Sequence, residues 1–226
     1  MKRPLTAAVL LALPTLAAAA GGAVVSVEGK AALERGKESL NVVDALPVAP
    51  GDTLSVLPQS KVQLQFDDDS LFTVPGAAVL RVDAFDLPKT GPGKAVYTLV
   101  DGGLRTITGR ISKHAQDTYE LHTDLATVTV KGSAYAAVRC RKQCAGSKAG
   151  LYVRADKGLI TVANDAGKLQ LRPGEVAFVE SPQSAPARVQ NSPFLDPVFA
   201  SGFTFEDRLE GAGDPPRIEQ ETPVSP

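Results

Sequence analysis

The sequence predicts an all-β fold, an antiparallel β-sandwich of jelly-roll-like form. Short runs rich in Val, Leu, Ile and Thr recur along the chain, and Gly, Asp, Asn and Pro separate them roughly every eight to twelve residues. Between residues 21 and 180 no long segment has the apolar spacing of an amphipathic helix. A short β-solenoid is the alternative, although the chain contains no strict internal repeat.

The first twenty residues predict an export signal. Lys2 and Arg3 precede a short apolar run at residues 5–16, and four alanines follow at residues 17–20. This order is typical of a cleaved signal peptide, so we expect a periplasmic or secreted protein. A retained membrane anchor is the alternative, but the run is short for a membrane span and contains Pro14. No later segment is apolar enough to cross a membrane, so no transmembrane span is expected in the mature chain.

The composition divides the chain into three parts. Residues 1–20 form the predicted signal peptide, residues 23–180 the β-domain, and residues 181–226 a Pro-rich linker and flexible tail. The end of the tail is expected to be disordered, because it contains too few apolar residues to offset the entropy of ordering.

The tail nevertheless contains an aromatic segment at residues 194–209. This segment carries four of the eight phenylalanines in the chain, including Phe199, Phe203 and Phe205. Large exposed apolar patches are uncommon, so these rings are predicted to pack back onto the β-domain. The alternative is that they dock onto a partner.

The clearest predicted element is a hairpin between residues 61 and 74. In the run KVQLQF polar and apolar residues alternate strictly, which predicts a strand with one buried face. Asp67, Asp68 and Asp69 then supply turn residues before the returning run LFTV. The three carboxylates could also bind calcium, but three consecutive aspartates at a hairpin tip cannot all face one ion. The pattern therefore favours a turn.

Further short strands are predicted up to residue 180. Turn signals separate several of them: DGG at residues 101–103, DKG at 156–158, NDAG at 164–167 and RPG at 172–174. The predicted strands have the sequences AVLRVDAF, AVYTLV, LRTITGRI, DTYELHT, ATVTVK, SAYAAVR, LYVRA, GLITVAN, GKLQLR and EVAFVE.

The two cysteines, Cys140 and Cys144, are predicted to form a disulfide at a hairpin tip, because an exported protein meets an oxidising compartment. The closed loop is small, so the bridge should add only modest stability. A metal site or a reactive thiol is the alternative, but a metal needs two further ligands and none lies nearby in the sequence. We therefore expect no metal and no cofactor.

Candidate catalytic residues are few. The chain has two histidines, His114 and His122, too few for a cupin-like metal site. A Ser-His-Asp triad that includes Ser133 and His122 stays open, because the chain order of such triads varies. No GxSxG context activates a serine, however. We expect a non-catalytic protein, and a secreted hydrolase is the weakest alternative.

The charge pattern argues against nucleic acid as a partner. The 24 basic and 25 acidic residues are interspersed and give a net charge of −1. One local group of cations, Arg139, Arg141, Lys142 and Lys148, flanks the cysteine loop. These side chains are expected either to form a solvated hairpin tip or to contact an acidic partner or an anionic glycan.

Taken together, six segments resemble the FecR-type periplasmic domain, and the resemblance covers approximately residues 24–179. They are PGDTL at 50–54, SKVQLQFDDDSLFTV at 60–74, LVDGGLRTI at 99–107, TDLATVTVKGSAYAAV at 123–138, GLITVAN at 158–164 and LRPGEVAFV at 171–179.

This chain departs from the usual family pattern at three positions. Asp68 stands in place of the hairpin glycine, and Lys131 and Ser133 stand in place of an Arg and a Thr. The resemblance implies an all-β sandwich and an extracytoplasmic location. Within the segment at 123–138 we expect a hairpin with Gly132 at a bend, where a missing Cβ lets the chain kink or another backbone approach.

The founding FecR proteins carry a cytoplasmic anti-sigma segment and a membrane helix before this domain. This sequence begins with the predicted export signal, so sigma regulation is not transferred with the fold. We expect a module that binds an envelope protein or a cell-wall or surface polysaccharide. A periplasmic partner in cell-surface signalling is the alternative. The candidate binding residues are Phe199, Phe203, Phe205, Arg141 and Lys142.

Overall fold

The computed structural model describes residues 21–142 and 144–195, which form fifteen β-strands in one hydrogen-bonded sheet. Within these ranges no α-helix occurs, and no helix is long and apolar enough to cross a membrane. The all-β prediction is confirmed. The predicted signal peptide at 1–20 and the tail from residue 196 onward lie outside the described residues.

The strands and the single 3₁₀ turn are, in chain order, β1 (Gly22–Glu28), β2 (Ala31–Arg35), β3 (Glu38–Asn41), β4 (Pro47–Val48), β5 (Thr53–Val56), β6 (Lys61–Phe66), β7 (Leu71–Pro75), β8 (Ala78–Asp86), β9 (Lys94–Ile107), β10 (Thr118–His122), β11 (Thr127–Cys140), β12 (Gly150–Asn164), β13 (Gly167–Leu171), β14 (Val176–Val179), β15 (Ala187–Val189) and η1 (Pro193–Leu195).

The strands form one branched sheet. Its main path runs β15-β14-β12-β11-β10-β9-β7-β6-β1-β4. Strands β3, β2, β5 and β8 form a branch that joins β9 through β8, and β13 pairs with the distal part of β12. The sheet does not close into a barrel, and side chains from the main path and from the branch share one apolar core. The architecture is therefore sandwich-like.

One pair of neighbouring strands is parallel, which corrects the prediction of a purely antiparallel sandwich. β10 runs parallel to the first part of β9, with Leu121 opposite Tyr97, and antiparallel to β11. The rest of β9 and residues 108–117 together make the crossover that a parallel pair requires. The alternating sequence of β10 could not reveal this direction, because both kinds of ladder use the same side-chain period.

Three long strands, β9, β11 and β12, replace six shorter predicted ones. The DGG and DKG turns and the hairpin at Gly132 were wrong: at each place the strand continues. Gly102, Gly132 and Gly158 have φ values of 73°, 55° and 73°, a left-handed conformation that glycine adopts without a Cβ clash. The ladder between β11 and β12 shifts register between Lys131 and Ala134. Such bulges bend a strand, so the β11–β12 ladder bends near Gly132.

The predicted hairpin at residues 61–74 is confirmed. β6 and β7 pair antiparallel, with Leu64 opposite Phe72, and the three aspartates lie in the connecting turn. Asp69 adopts a φ of 68° there, which aspartate tolerates better than most residues.

The core contains three fully buried tyrosines, Tyr97, Tyr119 and Tyr135. Phe66, Phe72, Tyr97 and Tyr119 contact one another ring to ring, with centroid separations of 4.7–5.8 Å. Burial raises the pKa of all three tyrosines, so their hydroxyls stay neutral.

The segment after residue 180, which the composition assigns to a linker, contributes the short strand β15. β15 pairs antiparallel with β14, and the side-chain amide of Asn164 donates to the carbonyl of Ser184 at 2.8 Å. A short strand at the edge of a sheet tolerates proline-rich flanks, because one side of its backbone needs no partner.

The 3₁₀ turn η1 places Phe194 on the outer face of the sheet, where it is buried. There the ring joins a second, smaller apolar cluster that is separate from the main core. The cluster comprises Ala136, Val138, Cys140, Tyr152 and Phe194, with Cys144, Val176, Phe178 and Val189 packed against it.

Candidate functional site

The aspartate of the PGDTL segment makes a structural ion pair. Asp52 is buried, and its two oxygens accept hydrogen bonds from Nε and Nη2 of Arg35 at 2.8 and 2.6 Å. The backbone N–H of Ala49 donates to the same carboxylate at 2.8 Å. These contacts tie β2 to the turn before β5.

The arginine of the LVDGGLRTI segment is held in the same way. Nε of Arg105 on β9 donates to Asp156 on β12 at 2.9 Å, and Nε of Arg154 donates to the other oxygen of Asp156 at 2.7 Å. The guanidinium carbon of Arg154 lies 4.7 Å from the centre of the Phe194 ring, within the range of a cation–π contact. This network braces β9, β12 and η1 on the outer face.

The glutamate of the LRPGEVAFV segment closes its own turn. One carboxylate oxygen of Glu175 accepts the backbone N–H of Arg172 at 2.8 Å, and the other lies 3.0 Å from Nε of Arg188 on β15. The N–H of Arg172 and the hydrogen bond from Arg188 lower the pKa of Glu175. The contact fastens the edge strand.

The two departures in β11, Lys131 and Ser133, are also structural. Nζ of Lys131 donates to the backbone carbonyls of His114, Ala115 and Asp117 at 3.0–3.3 Å. The backbone of Ser133 bonds to Thr108, whose Oγ1 donates to the Ser133 carbonyl at 2.9 Å. These bonds hold the crossover between β9 and β10.

Asp68, in place of the hairpin glycine, is fully buried. Its carboxylate accepts Ser70 N and Oγ at 3.0 and 2.6 Å and the N–H of Ile111 at 3.2 Å. Its carbonyl accepts the N–H of Arg110 at 2.7 Å. The carboxylate therefore fixes the hairpin turn against the crossover.

The residues of the hydrolase alternative are engaged elsewhere. Oγ of Ser133 donates to the carbonyls of Lys131 and Leu159, and Nε2 of His122 lies 2.7 Å from Glu120. In the part of the chain that the structure describes, no group of three or more His, Cys, Asp or Glu side chains is placed to hold a metal ion.

A disulfide joins Cys140 to Cys144, as predicted, with the Cα atoms 5.9 Å apart. It lies at the tip of the β11–β12 hairpin, where Cys140 is opposite Gly150. The N–H of Ser147 donates to the carbonyl of Cys144 at 2.8 Å and closes the loop. The tip is thus fixed by one covalent bond and by backbone hydrogen bonds.

A cleft of 470 Å³, here called the tip cleft, opens beside this disulfide. One wall is the tip itself, at residues 138–142 with Cys144, and the other is the β7–β8 turn at residues 75–77. The strand β9 contributes residues 101–103 between the two walls. A Cβ at Gly102 would lie 2.3 Å from the carbonyl oxygen of Ala77, so only glycine lets this turn approach β9 so closely.

The rim of the tip cleft carries three cations and one carboxylate, Asp101. Arg141 is half exposed: its Nη2 donates to the carbonyl of Val100 at 2.8 Å, and its Nε lies 3.6 Å from Asp101. Lys142 is exposed and forms no ion pair with any described side chain.

The third cation, Arg139, forms a two-point bond with Asp124, at 2.6 Å from Nε and 3.0 Å from Nη2. This bond lowers the pKa of Asp124 despite partial burial, which acts in the opposite direction. Arg139 is therefore neutralised locally. Arg141 is also near carboxylates, with Nε 3.6 Å from Asp101 and Nη1 3.8 Å from Asp124, but its side chain is half exposed and, with Lys142, presents positive charge at the rim.

Two further clefts lie elsewhere, and neither includes Arg141 or Lys142. One, of 650 Å³, lies between residues 87–93 and 110–117. Asp117 links its two sides: the carboxylate accepts the N–H groups of Gly93 and His114 at 2.8 and 3.1 Å. Burial acts to raise the pKa of Asp117, but these two donors, together with the charges of His114 and Lys131, outweigh it and lower the pKa overall. The other cleft, of 580 Å³, lies beside Phe194.

The structure thus brings together four residues that the sequence singled out, the two cysteines with Arg141 and Lys142. Phe199, Phe203 and Phe205 lie outside the described residues. The wall at 75–77 and the contribution of 101–103 were not predicted. Only a long-range contact creates them, and the one local signal was the glycine pair that was interpreted as a turn.

No protein-family model matches this chain, and no curated protein sequence matches it. Among solved structures, the fold is similar to a crystal structure, at 2.50 Å resolution, of a candidate anti-sigma factor from Parabacteroides distasonis, with a TM-score of 0.50 and 14% sequence identity. A second crystal structure of this description, at 1.65 Å, gives a TM-score of 0.49 at 14% identity. Each alignment covers 63% of this chain and 61% of the other, so the match spans about three fifths of both.

Proposed function

We propose that this protein is an exported, non-catalytic module of the cell envelope that binds a protein partner through the tip cleft. The observation that carries the proposal is the composition of that cleft. Apolar atoms of Val138 and the disulfide lie beside the cationic rim of Arg141 and Lys142. An apolar centre with a polar rim that includes arginine is typical of protein–protein interfaces.

The engagement of the motif residues supports a binding role over a catalytic one. Asp52, Arg105, Glu175 and Ser133 all bond within the framework, which favours a structural role for these motif residues. What the rigid framework offers a partner is a covalently fixed loop. A fixed loop lowers the entropic cost of binding, because it is already ordered before the partner arrives.

A second candidate function is regulation of envelope signalling. Two observations favour it: the ordered FecR-type segments of the sequence, and the fold likeness to a candidate anti-sigma factor. In this role the partner at the tip cleft would be a separately encoded receptor or regulator. Neighbouring genes for a sigma factor or a TonB-dependent receptor would favour this role over general envelope binding.

The test is capture of a partner from an envelope fraction by the mature protein, which we propose begins near Gly21. Wild type is compared with R141E/K142E, which reverses both rim cations, and with K148E, which changes one cation on the same tip outside the cleft. We expect wild type and K148E to capture the same protein and R141E/K142E to lose it. Equal capture by all three would refute the cleft as the site.

Two accompanying measurements test the remaining parts of the proposal. N-terminal sequencing of the exported protein should give a start near Gly21, and an intact Met1 on a membrane-bound product would contradict export with cleavage. Capture of polysaccharide in place of protein would replace the partner class with an envelope or cell-wall polymer.

A further inference from the structure

We infer that the tip cleft is one end of a longer binding surface, and that this surface fits a protein that presents an apolar ridge with acidic groups. The added part is a row of four residues, here called the end strip: Val43, Lys30, Leu57 and Ala77. The inference rests on the proposed function for the existence of a partner. The continuity of the end strip with the tip cleft can be tested without one.

The end strip follows from the pairing of four neighbouring strands. Ala31 on β2 is opposite Val56 on β5, and Val56 is opposite Ala78 on β8. On the other side of β2, the N–H of Val42, which follows β3, donates to the carbonyl of Ala31 at 3.1 Å. All four residues are buried. They form one inward-facing row across the sheet.

The next residue outward on each strand belongs to the end strip. The N–H of Leu57 donates to the carbonyl of Lys30 at 3.0 Å, which continues the pairing by one position. Side chains alternate between the two faces of a sheet, so the neighbours of a buried row point outward. All four strip residues are exposed, Val43 by 55% and Leu57 by 50%. With neighbouring strands about 4.8 Å apart, the strip is about 14 Å long.

The end strip and the tip cleft meet at Ala77. This residue is the last of the strip, and it also lines the cleft. Its carbonyl oxygen lies so close to β9 that a Cβ at Gly102 would approach it to 2.3 Å. Gly102 and Gly103 both line the cleft and carry no side chain that would divide the strip from the tip. The strip and the cleft therefore form one continuous surface.

This surface presents apolar groups and cations in a fixed order. Val43 and Leu57 are two of the four large hydrophobic residues that are exposed within the described ranges. Lys30 lies between them, and Arg141 and Lys142 lie at the far end beside the disulfide. Single exposed hydrophobic residues are ordinary, but two in one row beside an apolar cleft indicate an interaction site. The complementary ligand carries apolar groups along the strip and carboxylates toward the tip.

The size and polarity of the surface decide between the classes of partner. The cleft alone, with a volume of 470 Å³, could be filled by one small acidic group. A stable protein–protein interface buries about 800 Å² on each partner, and the end strip extends the cleft in that direction. Exposed valine and leucine side chains match the apolar centre of a protein interface better than the hydroxyl groups of a polysaccharide.

The first test uses 8-anilinonaphthalene-1-sulfonate, a dye with apolar rings and an anionic sulfonate that binds exposed apolar surface. It is titrated into the mature wild type, L57E and R141E/K142E, with L159E as the matched control. Leu159 is 44% exposed and lies opposite Lys131, nine residues before Cys140 on β11. We expect L57E and R141E/K142E each to weaken dye binding several-fold and L159E to leave it unchanged. Dye binding that L57E does not change, or its absence from wild type, would overturn the inference.

The second test repeats the capture from the envelope fraction with variants of the end strip. L57E and V43E should each lose most of the captured protein, and L159E should keep it. Because Val43 and Leu57 are exposed, these changes should leave the domain folded, and circular dichroism melting of each variant establishes this.

The outcomes separate this inference from the proposed function. Capture that depends on Arg141 and Lys142 but not on Leu57 or Val43 would overturn the inference and leave the proposed function standing. Capture of a polysaccharide would overturn the inference as well. If dye binding depends on Leu57 and on the tip cations but no protein is captured, the proposed function fails and the continuous surface stands.

Discussion

The guanidinium of Arg35 meets the carboxylate of Asp52 at two points, 2.8 Å from Nε and 2.6 Å from Nη2. Asp52 is 1% exposed, whereas the Arg35 side chain keeps 39% of its surface in solvent. The hydrogen bond to Asp52 raises the pKa of Arg35 and holds its charge in place. A buried carboxylate thus depends on a single arginine at the surface.

Replacing Arg35 should therefore lower the free energy of unfolding by more than the loss of a surface ion pair would. R35A leaves the buried carboxylate without its counter-ion, so we expect a loss of about 3 kcal/mol in the free energy of unfolding. R35K keeps the positive charge but lacks the guanidinium that bonds both oxygens of Asp52. Its loss in the free energy of unfolding should be smaller than that of R35A. Urea denaturation at neutral pH measures both, and wild-type stability in R35A would contradict the structural role.

The Arg139–Asp124 bond predicts a pH dependence. It lowers the pKa of Asp124 in the folded state, so its contribution exists above the unfolded pKa of about 3.9 and is lost as pH falls through the folded value. D124N should be less stable than wild type at pH 7, by no more than about 1 kcal/mol because the carboxylate is half exposed. The difference should vanish at acid pH.

The matched partner for this experiment is R139Q. It should show the same pH dependence as D124N, and the double variant should lose no more than either single variant. Urea melts across the acidic range give the comparison. A difference between wild type and D124N that persists at low pH would show that the effect is not electrostatic.

Gly102→Ala should damage both stability and the tip cleft. The added Cβ meets the Ala77 carbonyl at 2.3 Å, in a backbone with positive φ. Gly36→Ala is the control, since it shares a positive φ but has no neighbour within 4 Å. We expect about 1 kcal/mol of loss for G36A from backbone strain alone and clearly more for G102A. Equal losses in thermal melting would exclude the steric contact.

The disulfide should contribute modestly to stability. C140S/C144S releases a small loop, for which chain entropy gives a loss of about 2 kcal/mol. The protein, purified and denatured without reductant, should have no titratable thiol. Free thiols in that assay would contradict the bridge, and a loss of stability that abolishes folding would mean that the tip contributes more than a loop constraint.

Phe194 should matter although it lies near the end of the folded region. F194A removes a buried ring from the outer cluster and its contact with Arg154, and we expect a loss of about 3 kcal/mol. Val43→Ala, at a side chain 55% exposed, should change stability little. Thermal melting distinguishes the F194A variant from the V43A control.

Deleting the end of the tail, residues 211–226, should leave the melting temperature unchanged.

Local pattern predicted the parts of the fold that depend on neighbours in sequence. The alternation from Lys61 gave the β6–β7 hairpin, and two close cysteines gave the bridge at the hairpin tip. The glycines at 102, 132 and 158 were misinterpreted, because a glycine that ends a strand and one that bends it have the same local signature. The direction of β10 and the second wall of the tip cleft depend on contacts distant in sequence, which no local pattern contains.

The three bent strands have a consequence for how the molecule comes apart. The single strand β9 is hydrogen-bonded to four others, β7, β8, β10 and β11. No group of strands on one side of β9 can therefore detach without breaking hydrogen-bonded ladders. Unfolding should therefore be a single cooperative transition, and the strands on one side of β9 should not stay folded as a separate fragment. Most pairings also join residues far apart in sequence, and such topologies fold in milliseconds to seconds. The newly synthesised chain would spend that interval with its strand edges unprotected, within reach of proteases and of other unfolded chains.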